Sequence, residues 1–234
     1  MSSEEKSTQA QVLETLDQGD AQAVVLDRSV CYAEMGGQLG DQGVIHAQDQ
    51  CFRVLDTRKV GQTFLHLVSK NNYEGQPGAL EAGEIRIEVD VDRRKAMERH
   101  HTVTHLLHWA LHQIVGKDVS QKGSYVGPEK LTFDFNSQAL SADQLSDVER
   151  FVNERILENA PVSWQEVPYE SVKTRDEVMQ FFGDKYGEIV RVVQIGGTPG
   201  LLDGYSMELC GGTHTRGTGE VGVFRMVNES AIAA

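Results

Sequence analysis

An α+β fold is predicted: a small N-terminal β-barrel, then a two-layer domain with helices on one face of an antiparallel or mixed sheet. Three observations predict it. Residues 21–90 carry five short apolar or alternating runs parted by Gly, Asn, Asp and Pro, the texture of a small barrel. Residues 100–115 sort at helical period into a broad apolar face and a histidine face. From residue 131 onward, strands and helices alternate irregularly, with no repeating βαβ unit.

In chain order, residues 1–20 are polar and read as a disordered lead followed by a short helix. Barrel strands are expected at 23–26, 43–46, 52–55, 63–68 and 84–89, within a glycine-rich subdomain spanning 21–90. Inside it lies Tyr32-Ala-Glu-Met-Gly-Gly-Gln-Leu-Gly-Asp-Gln-Gly43. Glycines this dense suit either a hairpin turn or a backbone that approaches another group closely. Asp92 is the expected N-cap of the histidine helix and Gly116 its C′ residue. Gln121-Lys-Gly-Ser124 is a loop or strand start, and 131–135 alternates as a strand. Ser141-Ala-Asp-Gln144 is a capping box that opens an amphipathic helix with Leu145, Val148, Val152 and Ile156 inward and Pro161 beyond its end. Further strands are expected at 162–167, 188–195 and 206–209, a helix at 171–182 stopped by Gly183, and a long turn at 196–204. Residues 221–227 are expected to close the sheet, so that 91–234 form one α+β domain.

The 234 residues, 39% of them hydrophobic, suffice for one large domain or two small ones. There is no signal-peptide pattern and no apolar run of about 18 residues. The three cysteines, Cys31, Cys51 and Cys210, are odd in number and scattered. A soluble, cytoplasmic chain without disulfides is expected. A net charge of −13 excludes nucleic-acid binding through a broad basic surface, but not through a local patch. Arg93, Arg94, Lys95 and Arg99 precede the histidines; Lys117, Lys122 and Lys130 follow them.

The chemistry lies in two stretches. His101 and His105 are one helical turn apart, so both imidazoles can reach one metal ion; His108 and His112 repeat that spacing, and the helix alone does not choose. Downstream, Cys210-Gly-Gly-Thr-His214 offers a thiolate and an imidazole on a loop whose glycines let both side chains turn to one point. His101, His105, Cys210 and His214 together supply the ligands of a tetrahedral zinc site. The plainer alternatives are a polar helix face and a glycine turn beside a buried cysteine.

His101-Thr-Val-Thr-His105-Leu-Leu-His and Cys210-Gly-Gly-Thr-His214 resemble the paired zinc motifs of the alanyl-tRNA synthetase editing domain and of the free-standing alanyl-tRNA editing hydrolases. The Tyr32 loop resembles the glycine motif of that family, and Gln121-Lys-Gly-Ser124 its specificity-glutamine segment. Asp184-Lys-Tyr-Gly-Glu-Ile-Val-Arg-Val-Val and residues 221–230 are similar to the threonyl/alanyl second additional domain. The resemblance runs from about residue 22 to the end and selects His101 and His105 over the second pair. Met35, where a small residue is usual, and the 196–204 turn depart from the pattern. The aminoacylation motifs of a class II synthetase are missing, which points to an excised editing domain or a free-standing factor; the Ala-Glu before Gly36 and the stop at Ala234 favour the former.

The resemblance implies a zinc-dependent hydrolase that removes serine or glycine from mischarged alanine tRNA. Partners would be the acceptor end of that tRNA and, in a full-length enzyme, other synthetase domains; no membrane is involved. Gln121 and Thr102 are the expected catalytic residues, as candidates for hydrogen bonds to the substrate's polar groups; substrate contacts are expected from Gly36, Gly37, Gln38, Asp41 and Gln121, and from Arg99 as a local basic residue that could grip the acceptor end. Zinc would organise the pocket; no Ser-His-Asp nucleophile is visible. Two rival readings are an editing domain of the threonyl-tRNA synthetase type, against which the Gly-Gly-Gln loop argues, and a purely structural zinc module for RNA binding.

Overall fold

The computed structural model describes residues 5–73, 78–181 and 186–230. The fold is α+β, as expected, and divides into two compact units, Met1–Met97 and Glu98–Ala234. The division falls seven residues into the histidine helix, rather than at 90/91.

The first unit is a closed antiparallel barrel of six strands: β1 (Ser7–Gln18), β2 (Ala21–Leu26), β3 (Gly43–Ala47), β4 (Gln50–Val60), β5 (Thr63–Asn72) and β6 (Glu84–Val89). Their order around the barrel is β1-β2-β5-β4-β3-β6. The polar lead is corrected here: residues 7–18 form the strand that closes the barrel, pairing β6 from Ser7↔Glu88 to Gln11↔Glu84. Only Ala10 and Val12 of β1 point inward, so its apolar signal is thin; a two-residue turn with Gly19 at φ +74° joins it to β2. Inside, Val24, Ile45, Phe52, Val54, Val68, Ile85, Ile87 and Val89 form the core, with alternate residues of β4 and β6 turned inward.

Helix α1 (Val91–Ile114) begins two residues earlier than the Asp92 cap implies. The cap is Asp90, whose Oδ1 accepts the Arg93 N–H at 3.0 Å. Gly116, at φ +148°, follows its C-terminal end as expected.

The second unit holds the rest of α1, the hairpin β7 (Gln121–Val126) and β8 (Leu131–Phe135), α2 (Ala142–Leu157), and a three-stranded antiparallel sheet. That sheet comprises β9 (Val162–Pro168), β10 (Ile189–Ile195) and β11 (Ser206–Leu209) in the order β11-β10-β9. The Ser141 capping box forms as expected. Val148, Val152 and Ile156 of α2 pack on Val103, Leu106, Leu107, Ala110 and Leu111 of α1, with Val119 and Ile195.

Two expectations fail here. The helix at 171–182 is replaced by a 3-10 turn, Tyr169–Ser171, and further turns. Met179 instead pairs with β11, its N–H donating to Met207 O at 2.8 Å and its carbonyl accepting from Leu209 N at 3.0 Å. Strand-edge pairing outweighs the helical spacing of Val172 and Val178, both buried under the sheet. The end expected at Phe182–Gly183, like Asp184 and Lys185 of the resemblance, lies outside the described residues. Residues 221–227 add no strand. Their backbone is satisfied by α2 side chains: Phe224 N–H donates to Asn153 Oδ1 (3.0 Å), Phe224 O accepts from Asn153 Nδ2 (2.9 Å), and Met226 N–H donates to Glu149 Oε2 (2.8 Å).

Candidate metal centre

α1 and the loop after β11 build the site. One turn of α1 stacks His101 and His105, whose rings lie 5.4 Å apart edge to face. β11 delivers the Cys210 loop, whose start is fixed by Cys210 N donating to Arg191 O at 3.1 Å. Arg191 Nη1 donates to Gly212 O at 2.7 Å, and Gly212 N–H donates back to Cys210 Sγ at 3.3 Å. Cys210 Sγ then lies 3.4 Å from His101 Nε2 and 3.4 Å from His214 Nε2. One donor atom from each of His101, His105, Cys210 and His214 falls within 4.8 Å of the others. A thiolate with three imidazoles suits a borderline-soft divalent ion. His105 Nδ1 is buried without a hydrogen-bond partner, as a metal-ligating imidazole set would leave polar atoms in its absence.

The electrostatics favour a deprotonated sulfur. Burial works to raise the Cys210 thiol, but the His101, His214 and His105 imidazoles outweigh it and hold it well below the ordinary thiol range. His214 is pushed down to about 3 by burial, with His101 adding and Cys210 opposing. For His105, burial works downward, yet Glu208 and Cys210 overcome it and lift the ring to about 9.

A second layer surrounds the donors. Thr102 Oγ1 lies 3.2 Å from His214 Nδ1 and accepts the Thr215 N–H at 3.1 Å, which leaves His214 Nε2 facing Cys210. Glu208 is buried, with Oε1 3.1 Å from His108 Nδ1 and Oε2 3.7 Å from His105 Nε2. Burial would raise this carboxyl; His105 and His108 hold it below the ordinary range. The histidine face of α1 is therefore covered, not solvated: His101, His105 and His108 are all buried. His112 lies outside the donor set, its Nε2 2.7 Å from Val119 O.

The remaining sequence-derived candidates are spread over both units. Gln121 opens β7, and its Nε2 donates to Ser124 Oγ at 3.2 Å. Arg99 is exposed on α1. In the barrel unit, Gly36 and Gly37 are the exposed tip of a tight turn at φ +61° and +84°, closed by Met35–Gln38 backbone hydrogen bonds. Gln38 and Asp41 are fully buried. Asp41 is clamped by Arg94, whose Nε lies 2.9 Å from both carboxylate oxygens and whose Nη2 also pairs with it; Tyr32 N–H adds a bond at 2.6 Å. Sequence reasoning passed over Glu208 and Arg191. Glu208 stands two residues before Cys210 at the end of a strand, which is the signal that could have found it.

Comparison with known proteins agrees with this architecture. Residues 4–93 match the family "tRNA synthetases class II (A)", and residues 190–234 match the "Threonyl and Alanyl tRNA synthetase second additional domain". The chain is 45% identical over 226 residues to the alanine--tRNA ligase of Akkermansia muciniphila, covering 96% of this chain and 24% of that protein. It is 45% identical over 228 residues to that of Dichelobacter nodosus (97% and 25%), and 42% identical over 233 residues to that of Methylacidiphilum infernorum (99% and 24%). It spans about a quarter of the length of the curated relatives it matches. Among the described residues no helix is long and apolar enough to cross a membrane. Along nearly its whole length, then, the chain is related to one segment of the alanine--tRNA ligases, ending in the threonyl/alanyl second additional domain.

Proposed function

We propose that the chain is an editing deacylase. It hydrolyses the ester joining serine or glycine to the terminal adenosine of alanine tRNA, in the cytoplasm, as the editing domain of an alanyl-tRNA synthetase or as a free-standing homologue. The observation that carries this reading is the cluster of His101, His105, Cys210 and His214 in a chain similar to alanine--tRNA ligases. A hydrophobic site built for alanine cannot strongly reject an added hydroxyl, so a second, hydrolytic site is the general remedy.

Zinc is the proposed metal. Zn–S of about 2.3 Å and Zn–N of about 2.0–2.1 Å give a tetrahedral S–N edge of about 3.6 Å. The two Cys210–histidine distances of 3.4 Å are close to that edge. When bound, zinc supplies a fixed Lewis-acidic charge. The rest is done by the chain. Cys210 contributes a negative sulfur, α1 fixes two imidazoles, and Thr102 acts one step back by orienting His214. Gln121, with its amide N–H on Ser124, offers its carbonyl oxygen to the seryl hydroxyl or the ammonium of the esterified residue. Gly36 and Gly37 present bare backbone to the RNA while Gln38 and Asp41 brace the loop from within; Arg99 grips a phosphate.

The test is incubation with seryl- and alanyl-esters of alanine tRNA. The seryl ester should disappear faster, and Cys210→Ala should abolish both metal and activity. Equal loss of both esters, or full activity in Cys210→Ala, refutes the reading. A structural zinc module is the second reading, favoured by the fact that four protein donors fill a tetrahedron; it predicts metal without deacylation.

A further inference from the structure

The barrel carries a second constellation of reactive side chains, with no part in the reaction above. β3 and β4 pair directly at His46↔Cys51, and β6 runs along the other side of β3. Cys51, His46 and Glu88 alternate with the core residues Phe52, Ile45 and Ile87, so all three stand on the outer face of the barrel. Cys51 Sγ lies 3.2 Å from His46 Nδ1, and His46 Nε2 lies 3.2 Å from Glu88 Oε2. Arg86 Nη1 pairs with the other carboxylate oxygen of Glu88.

The directions of these contacts are fixed by chemistry. A carboxylate only accepts, so His46 donates through Nε2–H to Glu88. That tautomer leaves Nδ1 bare, as an acceptor facing the Cys51 thiol. Thiol, imidazole and carboxylate thus stand in the order nucleophile, base, orienting group. The imidazole uses both nitrogens in this chain, so the three do not converge on one metal. They are accessible: the His46 and Glu88 side chains are 31% and 36% exposed, and Cys51 is partly exposed. The other two thiols differ, since Cys31 is fully buried and Cys210 sits among the three imidazoles.

We propose that Cys51 is a base-assisted nucleophilic thiol and a covalent modification site for small disulfides, with His46 as its base and Glu88 orienting His46. As Cys51 Sγ attacks one sulfur of the disulfide, its proton passes to His46 Nδ1. The new S–S bond forms while the old one breaks. The departing sulfur leaves with the electron pair and takes the proton back from His46. Cys51 ends oxidised in a mixed disulfide, and half of the reagent ends reduced to a thiol.

Dithiodipyridine is a suitable probe, because it is neutral and the net charge of −13 does not bias its approach. Its reaction with the native, metal-loaded chain is followed at pH 7 by thiopyridone release, with peptide mapping to assign each adduct. The reference is Cys51 in the same chain unfolded in urea. An ordinary thiol with a pKa near 8.5 is only about 3% thiolate at pH 7, so base assistance has room for at most about a thirtyfold gain. Native Cys51 is expected to be labelled first, about tenfold faster than in urea. His46→Phe should bring it to the urea rate or below, and Glu88→Gln should fall between, both with unchanged circular dichroism. Should His46→Phe fail to fold, Glu88→Gln carries the test alone. A native rate no greater than the urea rate, or no loss of rate in the folded variants, overturns the proposal.

Discussion

In the proposed reaction, the single amide of Gln121 would tell two esters apart. A polar group placed for a hydroxyl discriminates far better than an apolar wall. Gln121→Leu is therefore expected to slow seryl-ester hydrolysis at least tenfold more than alanyl-ester hydrolysis; equal slowing would remove Gln121 from the specificity role. His66 offers a separate test inside the barrel. Its Nε2 lies 2.7 Å from Ser29 Oγ and its Nδ1 3.1 Å from Val24 O, and burial lowers its pKa below 6.5, with the Val24 carbonyl opposing. The folded state thus holds this ring neutral where the unfolded chain would protonate it. Its contribution is fully present above about pH 6.5 and is lost as pH falls below that value, by up to about 1.4 kcal/mol per pH unit. His66→Gln should shrink the drop in Tm between pH 7.5 and 5.5; an unchanged drop would show that His66 does not carry it. Neither role was equally readable beforehand. Gln121 came from its motif, whereas nothing in the pattern of β5 distinguishes His66 from a surface residue, because its burial depends on strands far away in sequence.

Among the elements, α2 is the one most completely written in local sequence. Ser141 Oγ accepts the Gln144 N–H at 3.2 Å, and Gln144 Oε1 accepts the Ser141 N–H at 3.0 Å. Ser141→Ala should cost about 1 kcal/mol of stability, seen as a lower denaturant midpoint with an unchanged slope; no change would mean the cap is satisfied another way. β8, β11 and β6 were likewise legible to the residue, through alternation and bounding turns. What escaped was decided by distant partners. β1 has two inward side chains and owes its conformation to pairing on both sides with β2 and β6. Residues 172–178 have helical spacing, but the edge of β11 captured Met179. Residues 221–227 alternate like a strand, yet Asn153 and Glu149 supply their hydrogen bonds. The clustering of the four candidate ligands was legible because such residues are chemically unusual; the layer behind them, Glu208 and Arg191, was not, since carboxylates and guanidiniums are common everywhere.

For the molecule as a whole, charge and metal make separable predictions. With a net charge of −13, the chain has no long-range field to draw in the proposed tRNA substrate, and a few local contacts would give a salt slope of only about −0.7 to −0.9 each. Deacylation should need high enzyme concentrations and depend weakly on salt; saturation at nanomolar enzyme with a steep slope would reveal a basic face elsewhere. Chelation should raise amide exchange in α1 around residues 101–112 and in β11 more than in β2–β5, and uniform exchange would argue against a metal anchoring the second unit. The cluster also has a consequence for biosynthesis. His101 and Cys210 stand 109 residues apart. At about 5–20 residues per second, the ribosome releases the first two donors roughly 5–20 s before the last two. Throughout that interval a nascent chain holds only half of the candidate donor set, so the proposed metal would be captured after translation of the Cys210 loop and would not guide the folding of α1.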